Sequence, residues 1–549
     1  MFRKFAVLLL SLVVFAGIPL SPVHAGVVTN PNTGGTPGSW TQGDRPPVVD
    51  PAKPAILFVH GLNSSAKVWY ESNDMYQQAF DNGYETAFIN LHDISGTSQN
   101  MWDNGRLLAD KIKEISNHFG KKLVIVAHSK GGIDTQTALV HYNAHVYVTN
   151  VITLGTPHHG SQLADLAYSS WASWLAALIG SKSPGTESMQ TSYMKYFRTQ
   201  TDSLANVSKN KYYTFAGDNW GSGSTSHIFG GMYLSTFGDN DGVVTVANAH
   251  LPKGTMVSIG RWNHSTVRTG SHVFNLIKPY MTAPSVSTGI SIMSINGMES
   301  DEVAASGQNS EPVEVQAAAV QAAQPVHNDA DSPYYIRGGE HNGTAAERLV
   351  VENGVASVTL NWISNRPVDQ LHVVTPDGEE LPVQPQVTAD DGLLNGAYHH
   401  TVSVPAPQAG EWTVKADSSE PGAYLFMAAF EKVNDQHAKL KKEKNGKQLT
   451  VDTKGLKADK TKLNVQIEFY NEGAKQSKSS IKQAYGLKGK KVQQRQIEAA
   501  EAIELPVAEG EGVFNVTVDV EGETTEGYPI RRTLIKSVYV DANGNAYSS

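Results

Sequence analysis

Between Ala55 and Met281, short runs that are apolar throughout recur between longer stretches that are apolar on one side only. The runs "AILFVHG", "KLVIVAHS", "VTNVITLGTP" and "KYYTFAGD" read as buried strands. "NGRLLADKIKEISNHFG" instead places Leu107, Leu108, Ile112 and Ile115 on one face of a helix. A strand that is apolar at every position must be covered on both faces. Strands alternating with amphipathic helices meet that need as a parallel sheet with helices on either side. The pattern predicts an α/β fold over residues 55–281.

The rest of the chain reads differently. "MFRKFAVLLLSLVVFAGIPLSPVHA" has a basic start, a charge-free apolar run and small residues before a cleavage point after Ala25, which predicts a secretory signal peptide over 1–25. Its apolar run is short for a membrane span and ends at Pro19 and Pro22, and no later segment is long and apolar enough to cross a bilayer. Residues 26–54, rich in Gly, Pro, Thr and Asn, predict an extended arm. Residues 282–333 are rich in Ala, Gln, Ser and Pro and read as a linker. From Tyr334 the period becomes two: "ASVTLNW", "QLHVVTPDGEE", "HTVSVPAP" and "GEWTVKAD" alternate across turn residues. This predicts a β-sandwich-like domain over 334–433 and, after the basic "KLKKEKNGK", a second over 434–549.

A length of 549 residues agrees with about three domains. The formal charge of −9 argues against a nucleic-acid partner. The absence of cysteine excludes thiol catalysis and Cys-based metal centres and leaves each domain to be held by its own core. No cofactor is expected, and His158 and His159 in "GTPHHG" read as loop-stabilising because no good metal-ligand set accompanies them.

The chemistry centres on "LVIVAHSKGG". A strand enters a sharp turn with Ser129 at its tip, and Gly131 and Gly132 let the following helix approach closely. Ala127 stands where the usual G-x-S-x-G elbow has its first glycine. A serine hydroxyl becomes a nucleophile when a base takes its proton, and acyl transfer needs N–H donors for the oxyanion. Lys130 supplies one through its backbone, and Leu62, after "FVHG", can supply the other. The acid and base should follow in the order Asp, His: Asp241 lies at a turn and His264 in a loop after "TMVSIG". Asp239 reads as a turn residue rather than a calcium ligand, and His272 as a structural helix residue.

The segments "FVHGLNSS", "NGRLLADKI", "VAHSKGG" and "NVITLGTPHHGSQL", followed by Asp241, His264 and "VFNLI", resemble in order the bacterial family I lipases, most closely the small members with an Ala-His-Ser-Met-Gly elbow. The resemblance spans about 55–281. It implies an α/β-hydrolase domain with Ser129 as nucleophile, Asp241 as orienting acid, His264 as base, and Leu62 and Lys130 as oxyanion donors. Two departures stand out. Lys130 replaces methionine, with Asp134 one turn on to pair with it. The interval from Ser129 to Asp241 is also longer, with a lid-like insertion at 161–210 whose Trp171 and Trp174 are candidates to grip substrate.

These readings predict a secreted, extracellular serine ester hydrolase acting on lipid or other apolar esters. An extracellular polyester depolymerase of polyhydroxyalkanoate type and acyl transfer to another acceptor are the enzymatic alternatives. A surface-binding protein with a degenerate hydrolase domain is the alternative of another class. The β-domains are candidates for contact with a cell surface or polymer. Their Trp362 and Trp412 sit in alternating strands and read as core residues.

Overall fold

One sheet positions the candidate site. Its strands are β1 (Trp40–Gln42), β2 (Ala55–Val59), β3 (Thr86–Ile89), β4 (Leu123–His128), β5 (Val148–Leu154), β6 (Lys211–Gly217) and β7 (Thr255–Gly260), in the order β1-β3-β2-β4-β5-β6-β7. β2 to β7 pair in parallel. The computed structural model describes residues 35–94, 98–178, 181–221, 227–282, 333–390, 394–432, 438–442, 446–471, 490–498, 501–508 and 510–548. The expected signal peptide and nearly all of the expected linker lie outside them. The expected arm contributes more than extended chain: β1 pairs antiparallel with β3, Trp40 opposite Ile89, and closes that sheet edge.

The helices are α1 (Met75–Asp81), α2 (Met101–Phe119), α3 (Lys130–Val140), α4 (Gln162–Ala167), α5 (Ser173–Leu178), α6 (Pro184–Ser188), α7 (Thr191–Thr201), α8 (Ile228–Leu234), α9 (Val246–Ala249) and α10 (Gly270–Ile277). Successive strand residues point to opposite faces, so β2 and β4 need apolar residues at every position. Leu57, Val59, Ile125 and Ala127 pack with Leu108, Ile112 and Ile115 of α2 on one face. Ile56, Phe58, Val124 and Val126 pack with Met75 of α1 and Val273 and Phe274 of α10 on the other. α2 starts where the Asn100 side chain accepts from the N–H groups of Trp102 and Asp103, and it ends at Gly120 with φ 66°. Among the described residues, no helix is long and apolar enough to cross a membrane.

The C-terminal part is antiparallel β. The first unit contains β8 (Tyr334–His341), β9 (Ala345–Val351), β10 (Val355–Ser364), β11 (Gln370–Val374), β12 (Glu380–Leu381), β13 (Gln386–Ala389), β14 (Tyr398–Pro405), β15 (Gly410–Asp417) and β16 (Gly422–Lys432). They form sheets β13-β14-β10-β16-β8 and β12-β11-β15-β9 around Val358, Leu360, Trp362, Trp412, Val414 and Phe426. Trp362 is 1% exposed, and its ring stacks on Tyr424 with centroids 4.4 Å apart. The second unit contains β17 (Lys439–Lys442), β18 (Gln448–Asp452), β19 (Lys462–Tyr470), β20 (Lys490–Glu498), β21 (Ile503–Glu504), β22 (Gly512–Glu523), β23 (Pro529–Val540) and β24 (Ala546–Ser548). Its sheets are β17-β18-β21 and β20-β19-β22-β23-β24.

Both units dock on helices α4 to α8. In β22, Phe514, Val516 and Val518 face the unit's own core, so Asn515, Thr517 and Asp519 face outward as a polar row. Each meets the α/β domain. Gln190 donates to Asn515 (2.6 Å), the Ser170 N–H to Thr517 (3.1 Å) and the Trp171 indole to Asp519 (3.2 Å). The first unit docks through an apolar cluster, joined by hydrogen bonds from the Tyr334 hydroxyl to the Met232 and Tyr233 carbonyls. Leu163, Leu166, Leu175, Phe229 and Leu234 join Ile336, Ile363, Leu394, Leu425 and Met427 in one buried cluster. Because Trp362 fills the first unit's interior, Trp362→Ala is expected to destabilise that unit by about 3–5 kcal/mol, read as a lower urea midpoint for its unfolding.

Candidate active site

β4 passes into α3 through Ser129, which adopts φ 53° and ψ −135°. Such a conformation is strained for a non-glycine residue. The surroundings hold it: the Ser129 N–H donates to the Leu154 carbonyl (3.0 Å), and the Ser129 carbonyl accepts from the Gly132 N–H (3.0 Å). The neighbouring glycines are required by space. A Cβ on Gly131 would lie 2.3 Å from the His60 carbonyl oxygen, and one on Gly132 would lie 2.3 Å from the Thr156 hydroxyl. A Cβ on Gly61 would lie 2.7 Å from the Ser129 Cβ. Ala127 is fully buried within β4, upstream of the turn, where its methyl packs in the core.

The structure brings Ser129, His264 and Asp241 together. His264 Nε2 lies 3.0 Å from Ser129 Oγ, and His264 Nδ1 lies 2.8 Å from Asp241 Oδ2. Asp241 is 1% exposed. Its other oxygen accepts from the N–H groups of Val243 (2.9 Å) and Val244 (2.7 Å), which leaves Oδ2 for the imidazole. The backbone adds a second tie, from the His264 N–H to the Asp241 carbonyl (2.8 Å). A cavity of about 700 Å³ opens over Ser129. Leu62, Asn63, Val68, Ile94, Val243 and His264 are among its walls. Lys130 is the first residue of α3, so its N–H has no acceptor within the helix. Leu62 lies on the cavity wall, next to Gly61.

Comparison with known proteins supplies the family. The crystal structure of Bacillus licheniformis lipase BlEst2 in propeptide form is 35% identical, with a TM-score of 0.74, over 94% of this chain and 100% of that one. This chain belongs to the lipases of the α/β-hydrolase family. The mature form of the same Bacillus licheniformis lipase is 51% identical over 45% of this chain and 100% of its own, with a TM-score of 0.43. A domain family of unknown function (DUF7379) matches residues 32–192. In this lipase, then, the parallel sheet belongs to an ester hydrolase and the two β-units are appended to it.

Other residues singled out from the sequence fall in different places. Trp171 does not line the cavity at Ser129, and neither does any other described residue of 161–210. The Trp171 ring is stacked beneath the Arg337 guanidinium at 4.6 Å and bonded to Asp519, so in the intact chain it serves the contact with the β-units. The Trp174 side chain lies outside the described residues. Asp239 is exposed at a turn, where its carbonyl accepts from the Val246 N–H. His272 is an exposed residue of α10.

Sequence reasoning missed His128. Its Nε2–H donates to the His264 carbonyl at 2.8 Å, which pins the loop that carries His264. Burial, with the nearby charges of His264 and Arg268, holds its imidazole neutral, well below the ordinary range. The signal available was its place beside the serine in "AHS". His158 and His159 lie in the loop after β5. His158 Nε2 is 3.2 Å from the Thr153 hydroxyl, and the His159 N–H donates to the Asn248 carbonyl at 3.1 Å.

Burial, and secondarily Arg198, lower the His159 imidazole from 6.5 to about 4. Between those values the unfolded chain binds the extra proton and the folded chain does not, so this residue's contribution weakens as pH falls through that window. His159→Gln should lose less thermal stability than the wild type between pH 7 and pH 4.5, the difference being about 2 kcal/mol. Equal losses in paired melts would remove His159 from the account.

Proposed function

We propose that this chain is a serine carboxylic-ester hydrolase that works through an acyl-enzyme on Ser129. The observation that carries the reading is the continuous hydrogen-bonded chain from Ser129 Oγ through His264 to Asp241, mounted on a strained turn at the floor of a cavity. His264 Nε2 takes the hydroxyl proton as Oγ attacks the ester carbonyl carbon. Asp241 keeps Nδ1 protonated and stabilises the imidazolium. The N–H groups of Leu62 and Lys130 receive the oxyanion. His264 then protonates the departing alkoxide. Water, deprotonated by His264, releases the acid. This agrees with the motif resemblance to the bacterial family I lipases.

Lipids and other apolar esters are the proposed substrates, acted on outside the cell after removal of the predicted signal peptide. Support comes from Val68, Ile94 and Val243 on the cavity wall and from the apolar cluster beside it. His227 and Val243 border both the cavity and the contact where Leu163, Leu166 and Phe229 meet Leu394 and Leu425 of the first β-unit. The related Bacillus licheniformis lipase is described in propeptide and mature forms. By analogy, the β-units here are a pro-region whose removal uncovers an apolar face next to the site. The polar row on β22 suits a contact that can be released.

Ser129→Ala should lower p-nitrophenyl ester hydrolysis by several orders of magnitude while the protein stays folded, as expected on loss of a triad nucleophile. Unchanged activity would remove the triad. Cleavage between 282 and 333 should leave soluble short-ester hydrolysis within a few-fold and raise the rate on emulsified triglyceride at least ~10-fold, because a larger apolar face can then meet the lipid. A pH-stat comparison of the intact and cleaved protein decides this. Equal rates on emulsion would contradict the pro-region reading.

A further inference from the structure

Lys130 carries a side chain that the proposed chemistry does not use. Its ammonium is fully buried and does not line the cavity; it lies 3.0 Å from both oxygens of Asp134 and 3.1 Å from Asp93 Oδ2. Asn104 of α2 donates to the carboxylates of both Asp134 (3.3 Å) and Asp93. All four side chains are buried. A buried ion cluster of this kind is costly to desolvate, so replacing it with apolar residues is often neutral or stabilising. Stability alone is therefore a weak reason for it to be there, and what it connects is more informative.

Asp93 lies in the turn just after β3. Two residues earlier, the Leu91 N–H donates to His60 Nε2 at 3.0 Å. The His92 N–H donates to the Asn104 side chain at 3.1 Å. His60 is itself buried and is followed directly by Gly61 and Leu62. One short turn, Leu91 to Asp93, thus grips both segments that carry the oxyanion donors. It holds the Lys130 segment through an ion pair and the Leu62 segment through the His60 ring. The two donors come from different elements, α3 and the loop after β2, and their spacing decides whether both can reach one oxygen.

We infer that the Lys130 side chain is a positioning residue: its ion pair with Asp93, across the 91–93 turn, sets the distance between the Lys130 and Leu62 N–H groups. This rests on the acyl-transfer reading of the site and adds a second role for Lys130, separate from its N–H. Burial raises the Asp134 carboxyl, with the Lys130 ammonium opposing the rise and Asp93 adding to it.

Lys130→Met tests the inference, because it keeps the backbone N–H and a side chain of similar length while removing the tie. A trifluoromethyl ketone, which forms a tetrahedral oxyanion on the serine, serves as the probe. The expected result is a kcat about 10–100-fold lower on a p-nitrophenyl ester, below the loss for deleting one donor outright. KM should change less than 3-fold, and the inhibition constant should rise in parallel with the fall in kcat/KM.

Lys130→Met leaves two buried carboxylates without their cation and can fail to fold. The charge-free Lys130→Met/Asp93→Asn/Asp134→Asn variant covers that case. It should keep a melting temperature near the wild type and still show the low kcat and weakened inhibition. Wild-type kcat and inhibition in either folded variant would overturn the inference. So would failure of the charge-free variant to fold, since the cluster's work would then be in stability. Failure of the proposed function looks different: the wild-type chain would itself neither hydrolyse the ester nor bind the ketone.

Discussion

The site depends on a single close approach, that of the β2 end to the start of α3. The His60 carbonyl sits where any side chain at residue 131 would have to go, and Gly61 lies against the Ser129 Cβ. This contact lets Ser129 take a positive φ and stand at the floor of the cavity instead of disappearing into a regular strand-to-helix turn. Strain of this kind costs on the order of 1–3 kcal/mol and persists when the flanking structure over-determines it. Here the flanks are β4, buried along its whole length, and α3, whose residues are all buried. They supply that over-determination.

From that contact the other parts follow in order. With the elbow set, the Leu154 carbonyl receives the Ser129 N–H, and the end of β5 is held beside it. The loop after β7 brings His264 over the serine. Two independent restraints keep it there: Asp241, which grips both its ring and its N–H, and His128, which grips its carbonyl. Asp241 is in turn saturated by two backbone N–H groups, so its free oxygen has one direction in which to act. Each functional group is thus held by at least one buried partner on a different element. That is the condition for a preorganised site.

Much of this was legible in the chain. The fully apolar runs became β2, β4, β5 and β6 of a parallel sheet because period and burial speak directly in sequence. Ser129, Asp241 and His264, chosen for residue type, order and turn context, are adjacent in space. What was not legible is pairing across long separations. Trp171 sits in an apolar helical pattern that looks the same whether it faces substrate, a core or another domain, and only the polar row on β22 shows which it is. His128 and Asp93 were missed because a histidine within a strand and an aspartate in a turn carry no local mark of what they bond to. β1 was hidden in a Gly- and Pro-rich arm whose composition outweighed its three paired residues.

The two docking surfaces on the α/β domain each combine buried apolar contact with hydrogen bonds, and they differ in how near they lie to the cavity. The second unit meets helices α4 to α7 through side-chain hydrogen bonds and a buried cluster in which Met189, Tyr193, Met194 and Phe197 join Val513 and Tyr539, while the first covers leucines and aromatics next to the cavity. Small esters have a route to Ser129 through the cavity in the intact chain, whereas an extended lipid surface would meet the first unit. The central claim remains that acyl transfer passes through Ser129. Rapid-quench mass spectrometry of the intact chain mixed with a p-nitrophenyl ester tests it most directly. The account predicts an acyl group on the tryptic peptide containing Ser129, formed within the first turnover and lost on standing in water. Ester turnover with no adduct on that peptide, or an adduct on another residue, would contradict it.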